Sequence, residues 1–483
     1  MNYSVVRYIL GWIMVVEAAF MLLPCVVALI YKEVAGYSFL WVLLGSAFVG
    51  GLMVIKKPKD MNIYIREGFV TVALSWMIMS VVGCLPFILN GDIPSFTDAL
   101  FETISGFTTT GATILSDVET LSWCSLFWRS FTHWIGGMGV LVFLLAIVPM
   151  AGGSNMNLMK AESPGPSVDK IVPKVRYNAL ILYGIYIVLT IIEVIFLLVG
   201  GMSFFESLTT AFSTAGTGGF GIRNDSLASM SPYIQWVVTV FMILFGVNFG
   251  VYFLLLTKKF KQAFKHEEAR NYILIIVVSS LIIFANIYDS FASGKDAIRH
   301  AFFQVASLMT TTGFMSTDFD LWPVMCHTVL LVVMFIGACA GSTGGGIKVS
   351  RFVIWIKTVF KEITSFLHPR SVKKVAVDGK VVEHETIRAT NVFLVTYILI
   401  FVTSLFLITI DNKDLVTNFS SVAATINNVG PGLNMVGPTQ NFGHFSGFSK
   451  YVFMFDMLVG RLELFPVLLL FCPSVWVPKK KKA

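Results

Sequence analysis

Long apolar runs separated by short polar breaks dominate the chain. Ten of these runs are long enough, at about 20 residues each, to cross the hydrocarbon core of a bilayer as α-helices. The pattern therefore predicts an all-α integral membrane protein with about ten spans. The predicted spans lie near residues 8–30, 38–55, 67–90, 127–150, 178–200, 233–256, 271–289, 325–347, 389–410 and 449–471.

Four further apolar runs are too short to cross a bilayer and lie between predicted spans, near residues 96–108, 204–215, 298–309 and 415–427. Each leads into a polar, glycine-containing segment before the chain enters the next span. The four segments read FTTTGAT at 107–113, STAGTGGF at 213–220, MTTTGF at 309–314 and NNVGPG at 427–432. Because non-helical backbone at membrane depth is tolerated only where it lines a protein cavity, the pattern predicts four re-entrant pore segments around one pseudo-fourfold pore.

These segments have the composition that a cation filter requires. A dehydrated cation needs backbone carbonyl oxygens in place of its water shell, and glycine lets the backbone turn those carbonyls toward one axis. In the second segment a gapless match to the first favours Gly216, whereas a match to Gly313 and Phe314 favours Gly219. We take Gly219 as the filter glycine and leave Gly216 as the alternative. The candidate potassium-binding residues are Thr110, Gly111, Gly218, Gly219, Thr312, Gly313, Val429 and Gly430.

Composition and charge support a membrane protein that handles cations. The chain is 56% hydrophobic and 13% charged, which excludes a water-soluble fold. With a cytoplasmic N-terminus, 27 of the 35 basic residues fall on the cytoplasmic side, as the positive-inside rule requires. The net charge of +7 is thus a matter of membrane topology and indicates no nucleic-acid partner. Acidic residues predominate on the other face, which favours the approach of cations.

Enzyme and metal-site chemistry find no support in the sequence. The six cysteines and seven histidines show no metal-ligand spacing, and no nucleophile with a base and an orienting group can be assembled. The GSTGGGIK segment at 341–348 fails as a phosphate-binding loop, because Ile347 follows the last glycine where a lysine is needed. Its three glycines, Gly344, Gly345 and Gly346, are instead expected to break a membrane helix. The alternative is that they only permit close helix packing, with Lys348 reaching the cytoplasmic surface.

The fourfold helix, pore loop, helix pattern resembles the superfamily of Trk, Ktr and HKT cation transporters. Three features favour the Trk type: two extra N-terminal spans, the HWIGGMG motif at 133–139, and the NNVGPG motif at 427–432. The resemblance covers essentially the whole chain. It divides the sequence into a two-helix extension at 1–60, pore repeats at 61–155, 170–262, 268–365 and 386–476, and a basic cytoplasmic tail at 477–483.

The resemblance implies potassium uptake across the bacterial inner membrane, with both termini cytoplasmic. It further implies a homodimer, contact with membrane lipid, and a TrkA-type cytoplasmic ring subunit that binds NAD or ATP. Potassium is then the transported ion, and no covalent cofactor is expected. A sodium- or proton-coupled potassium symporter is the alternative; the related plant subgroup that prefers sodium has serine in the first repeat, where this chain has Gly111. A solute carrier with broken helices is a third reading, disfavoured because such carriers show two related halves.

Two elements are expected to control ion flow. The resemblance implies that Gly344, Gly345 and Gly346 form an intramembrane gate beneath the filter. Arg461 lies within a predicted span, where a charged residue is expensive and calls for a functional reason. Because the acids five residues before and two residues after it point away from its helical face, the arginine must pair across helices, with Glu193 as a candidate, or face the pore. In Trk-like proteins an arginine in the matching Gly-Arg-Leu-Glu context faces the conduction path.

Overall fold

The computed structural model describes residues 1–59, 61, 63–147, 175–370 and 373–476. The predicted tail at 477–483, and the segment that joins the first two pore repeats, lie outside these residues. Helices make up nearly all of the regular structure. The single sheet among the described residues is a short antiparallel hairpin that pairs β1, Ala376–Val377, with β2, Lys380–Val381.

Three helices precede the unit that contains the first re-entrant segment. The first predicted span consists of α1 and α2, which follow each other with one residue between them, and α3 returns across the same layer. Helix α1 packs against both α3 and α4, so the N-terminal pair covers the outside of the first unit. The bounds are α1 Tyr3–Phe20, α2 Leu22–Tyr31 and α3 Gly36–Ile55.

Each of the next four units contains a long helix, a short re-entrant helix and a second long or broken helix. The first unit has α4 Ile65–Asn90, α5 Phe96–Phe107 and α6 Trp123–Ile147. The second has α7 Val175–Val199, α8 Phe204–Gly216, α9 Pro232–Gly246 and α10 Phe249–Leu256, followed by α11 Phe260–Lys265. The third has α12 Glu267–Ile287, α13 Gly294–Met309, α14 Val324–Ile336 and α15 Val349–Leu367. The fourth has α16 His384–Ile408, α17 Leu415–Ile426, α18 Gly447–Arg461, α19 Phe465–Leu470 and α20 Pro473–Trp476.

The described residues include six helices that are long and apolar enough to cross a membrane. They begin at Tyr3, Gly36, Ile65, Leu180, Glu267 and His384, and so match six of the ten predicted spans. Large apolar side chains on their outer faces are exposed, such as Trp41 and Phe48 at 68% each. Exposed apolar surface of this kind belongs against lipid. The protein is therefore an all-α, multi-pass membrane protein.

Three predicted spans are broken, and in two of them the expectation of an unbroken helix is wrong. The sixth span bends by 90° between α9 and α10. The tenth span breaks between α18 and α19, where Glu463 and Leu464 have positive φ angles of 58° and 68°. The eighth span ends as a helix at Ile336, which agrees with the break predicted at the glycine run.

The four short helices form a closed ring in chain order. Each packs against the second long helix of the preceding unit: α8 against α6, α13 against α9, α17 against α14, and α5 against α18. A serine or aspartate caps the N-terminus of each short helix, with its side-chain oxygen accepting a hydrogen bond from a backbone N–H of the first turn. The capping residues are Ser95, Ser203, Ser293 and Asp414. The fold thus aims four helix C-termini at one central region.

Candidate functional site

All four short helices end in the same hydrogen-bonded motif. One of the first two residues beyond each helix has a left-handed backbone. Two backbone hydrogen bonds then close the helix end, as in a Schellman motif. In the first unit Thr110 N donates to Ser105 O at 2.9 Å and Thr109 N donates to Gly106 O at 3.1 Å. The equivalent outer bonds are Gly218 N to Ser213 O, Thr312 N to Ser307 O, and Val429 N to Ala424 O, at 2.9, 2.8 and 2.9 Å.

The left-handed position in these motifs is filled in three units by threonine, which disfavours it, and in the fourth by asparagine, which tolerates it. Thr109, Thr217, Thr311 and Asn428 have φ angles of 55°, 54°, 60° and 56°. A β-branched residue in this region is strained, and such strain persists only where the surrounding structure enforces it. All four residues are buried at 1% exposure or less, so the surrounding helices supply that enforcement.

A glycine with positive φ follows two residues after each left-handed position. The φ angles are 80° at Gly111, 76° at Gly219, 84° at Gly313 and 95° at Gly430. Gly216, in contrast, is the last residue of α8 and lies before the left-handed Thr217. Gly219 is therefore the structural counterpart of the other three glycines, and Gly216 is not.

The four glycine segments meet and close a ring through backbone carbonyl groups. A β-carbon built on Gly111 would lie 1.9 Å from Gly218 O, and one on Gly219 would lie 2.0 Å from Thr312 O. One on Gly313 would lie 2.2 Å from Val429 O, and one on Gly430 would lie 2.8 Å from Thr110 O. Each carbonyl comes from the residue before the next glycine, in chain order. All eight predicted filter residues are thereby brought together.

This ring has no room for side chains at its glycine positions. A real β-carbon does not approach a backbone oxygen to about 2 Å, and the positive φ angles are strained for every L residue other than glycine. Glycine at these positions allows one backbone to lie directly against the next. Four backbone carbonyl groups therefore meet in this ring, with the partial negative charge of four helix C-termini beside it.

The threonine hydroxyls next to the ring are engaged by the protein itself. Thr110 Oγ1 lies 2.8 Å from Thr108 Oγ1 and accepts a hydrogen bond from Asn428 Nδ2 at 2.9 Å. In the third unit Thr312 Oγ1 lies 2.7 Å from Thr310 Oγ1. These bonds fix the side chains and tie the first segment to the fourth.

An irregular segment at 337–348 lies against the ends of two short helices. Gly345 N donates to Thr311 Oγ1 at 2.6 Å, and Gly346 N donates to Asn427 O at 3.0 Å. A β-carbon on Gly344 would lie 2.9 Å from Thr310 O, and one on Gly345 would lie 2.4 Å from Asn427 O. The three glycines predicted as a gate thus touch the third and fourth segments directly, and we call 337–348 the glycine loop.

The bend in the second unit and the glycine loop hold each other through two backbone hydrogen bonds. Cys339 N donates to Gly246 O, and Phe249 N donates to Gly341 O, both at 3.1 Å. Gly246 ends α9 and Phe249 begins α10, so the break in that span frees the groups that the loop uses. Within the run at 233–256, Gly246, Asn248 and Gly250 are the sequence signal for this break, and Asn248 caps α10 by accepting from Gly250 N at 2.8 Å.

A lysine and a glutamate of the third unit fix the glycine loop. Lys348 Nζ donates to Gly344 O and to Gly345 O, the second at 3.2 Å. Glu268 Oε1 accepts from Ala340 N at 2.7 Å and from Ser350 N at 3.1 Å, and so joins both ends of the loop. Lys348 is 3% exposed, so the alternative in which it reaches the membrane surface is wrong.

Arg461 is bonded across elements, as its position in the sequence predicts. Its Nη1 donates to Thr343 O at 2.8 Å and its Nη2 donates to Gly136 O at 2.7 Å. The nearby acids have other partners: Glu463 forms an ion pair with Arg351, and Asp456 accepts a hydrogen bond from Ser404 at 2.6 Å. The arginine therefore connects α18 to the glycine loop and to α6.

Comparison with known proteins agrees with this architecture. The family model described as "Cation transport protein", TrkH, matches residues 38–479. The chain belongs to the TrkH family. The Trk system potassium uptake protein TrkH of Salmonella typhimurium is 36% identical over 99% of this chain and 100% of its own length. The Trk system potassium uptake protein TrkG of Escherichia coli is 32% identical over 98% of both chains.

A solved structure of the TrkH family has the same fold. The crystal structure of the potassium transporter TrkH from Vibrio parahaemolyticus matches with a TM-score of 0.88 at 33% sequence identity. The match covers 99% of this chain and 100% of that one. The described residues therefore have the TrkH-family fold.

Proposed function

We propose that the chain takes up potassium through the carbonyl ring, with Thr110, Gly111, Gly218, Gly219, Thr312, Gly313, Val429 and Gly430 as its filter. The observation that carries this proposal is the closure of four backbone segments around one constriction, each glycine lying against the carbonyl before the next. Carbonyl oxygens replace the hydration shell of the ion. Four helix C-termini add a negative potential that favours cations over anions. The relatives named potassium uptake proteins and the potassium transporter structure support potassium as the ion.

The glycine loop and Arg461 form the proposed gate. The loop lies directly against the filter segments, and Arg461 donates to it, so the closed arrangement combines an obstruction with a fixed positive charge. A positive charge on the conduction path repels potassium. Opening then requires the loop and the guanidinium to move away from the ring.

The cytoplasmic face is the side that carries the loops after α3, α10 and α15. The stretch from Lys348 to Arg388 has 9 basic residues. Part of this surface is tied together: Lys357 Nζ donates to Ala376 O at 2.7 Å, and Asp378 Oδ1 accepts from Glu267 N at 2.6 Å. The basic surface is where a TrkA-type nucleotide-binding ring and anionic lipid headgroups would dock. We place the homodimer in the bacterial inner membrane with both termini on this side.

Ion flux into proteoliposomes tests the function. Purified protein would be given potassium, rubidium, sodium or lithium without any gradient of protons. We expect potassium and rubidium to enter and sodium and lithium to be excluded. Uptake that appears only with a sodium or proton gradient would favour the coupled symporter, and uptake without ion preference would refute the filter.

A separate binding experiment tests the partner. Membranes that contain the tagged chain would be solubilised and captured at low and at moderate salt. We expect a soluble nucleotide-binding protein to be retained. Its absence at both salt concentrations would count against the docking proposal and would leave the ion pathway unaffected.

A further inference from the structure

A buried ion pair lies directly behind two of the four filter segments. Arg129 on α6 and Glu102 on α5 are joined by Nη2 to Oε1 at 2.7 Å and by Nε to Oε1 at 2.9 Å. Their side chains are 2% and 0% exposed. A pair this deep requires further hydrogen bonds to offset its desolvation.

Glu102 accepts hydrogen bonds from the residues just beyond the first filter segment. Both carboxylate oxygens of Glu102 accept from Thr113 Oγ1 at 3.0 Å, and Oε2 also accepts from Ile114 N at 3.1 Å. Thr113 follows Gly111 by two residues. The carboxylate therefore fixes the backbone immediately beyond the ring.

The arginine holds the exit of the second segment. Arg129 Nη1 donates to Gly221 O at 3.2 Å, and the guanidinium lies 4.1 Å from the centre of the Phe220 ring. Phe220 directly follows Gly219. One ion pair thus spans two segments that are neighbours in the ring, since Gly111 faces the carbonyl of Gly218.

The corresponding contacts in the other two units are neutral. In the third unit Gln304, which occupies the position equivalent to Glu102, donates to Thr317 O at 3.3 Å. In the fourth unit the position equivalent to Glu102 is Ser421, and its neighbour Ser420 accepts through Oγ from Leu433 N at 2.9 Å. Of these contacts, the one that joins the first and second segments is charged. Charge-assisted hydrogen bonds are stronger than neutral ones.

We propose that Arg129 and Glu102 are positioning residues that set the separation of the first and second filter segments, and through it the preference for potassium over smaller cations. The proposal rests on the proposed function. A ring that is free to contract could coordinate sodium or lithium as closely as potassium. The ion pair resists contraction, because moving either segment inward would break charge-assisted bonds inside a buried site.

The test compares ion preference in Arg129→Lys, Arg129→Gln and Glu102→Gln. Lysine keeps the charge but lacks the planar fork that bonds Glu102 and Gly221 together and lies on Phe220. Arg223→Lys and Arg223→Gln are the matched controls, because Arg223 pairs with Glu206 at 2.6 Å with side chains 41% and 19% exposed. Flux of potassium, rubidium, sodium and lithium would be measured in proteoliposomes, with the amount of folded protein taken from size-exclusion chromatography.

We expect the sodium-to-potassium flux ratio to rise about fivefold in Arg129→Lys and more in the two neutral variants, while the Arg223 variants stay within about twofold of wild type. A structural role alone would lower the amount of protein and leave this ratio unchanged. If the neutral variants do not fold, Arg129→Lys decides the matter. A wild-type ratio in Arg129→Lys, or an equal rise in Arg223→Lys, would overturn the proposal.

The wild-type protein separates this proposal from the proposed function. If wild type itself shows no potassium preference, the filter proposal fails and with it the role of the pair. If wild type discriminates and every Arg129 and Glu102 variant does so equally, the filter stands and the positioning role is refuted.

Discussion

The carbonyl ring and the glycine loop are built on opposite plans. The ring is assembled from four equivalent segments, each with the same hydrogen-bonded helix end, a left-handed residue at the same position and a glycine two residues later. The loop belongs to the third unit alone, and it is fixed by its own Lys348, by Glu268 on α12 and by Arg461 on α18. Under the proposed function, selection among ions requires equivalent ligands around an axis, which the repeated segments supply. Control of flow requires one movable element, which the glycine loop supplies.

Adding a side chain to the ring is expected to have the largest effect on ion preference. In Gly313→Ser the β-carbon would approach Val429 O at 2.2 Å on a backbone with φ of 84°. We expect the potassium-to-sodium flux ratio to fall by about tenfold, equivalent to roughly 1.4 kcal/mol in relative barrier height. The ratio should also fall in Gly111→Ser. Competition between the two ions in proteoliposomes measures it.

Gly45→Ser is the control for these ring variants, because no atom lies within 4 Å of a β-carbon built on Gly45. Unchanged selectivity in both ring variants would contradict the filter assignment.

Removal of the obstruction is the next largest change. Deletion of Gly344, Gly345 and Gly346 eliminates the contacts of the loop with Thr311 and Asn427. Basal potassium flux should rise about fivefold with ion preference retained, since the carbonyl ring itself is left in place. Lower flux, or a change in preference, would instead indicate that the glycines serve helix packing.

Arg461→Ala removes the charge and keeps the loop. The loop then loses the bond from Nη1 to Thr343 O, and α6 loses the bond to Gly136 O. Potassium flux should increase about threefold per folded protein, because a repulsive charge has been taken from the path. Protein yield and dimer size should match wild type. A loss of flux in proportion to lost protein would identify the arginine as structural.

Lys348→Met loosens the loop without shortening it. Methionine has a similar length but cannot donate to Gly344 O and Gly345 O. We expect flux to rise about twofold with the same ion preference. Lys361→Met is the matched control on α15, where the lysine pairs with an exposed glutamate. An equal increase in the control would show that the effect comes from net charge at the surface.

The sequence allows the ring to be predicted because its requirements are local. Gly111, Gly313 and Gly430 stand at the ends of short apolar runs, where a helix must stop and a carbonyl must turn. The strain at Thr311 and its counterparts could not be predicted, because threonine by itself avoids left-handed backbone. The repeat boundaries remain predictions.

Contacts between distant elements could not be predicted from the sequence either. Arg129 and Glu102 sit 27 residues apart on two helices, and their separate positions give no sign that they meet. The bend near Asn248 lies inside a run predicted to be one helix. Gly246 and Asn248 favour a helix end there, and the backbone hydrogen bonds to the glycine loop hold the bend. Broken spans of this kind depend on tertiary contacts that restore the bonds lost at the break.

Two backbone hydrogen bonds, from Cys339 N to Gly246 O and from Phe249 N to Gly341 O, couple the second unit to the third. If the glycine loop leaves the ring, the amide hydrogens of Cys339 and Phe249 both lose their acceptors, although they belong to different repeats. Both should then exchange with solvent deuterium at a common rate, set by how often the pathway opens. If the loop opens as proposed, the exchange rate of an amide at the bend in the second unit would report how often a loop of the third unit opens.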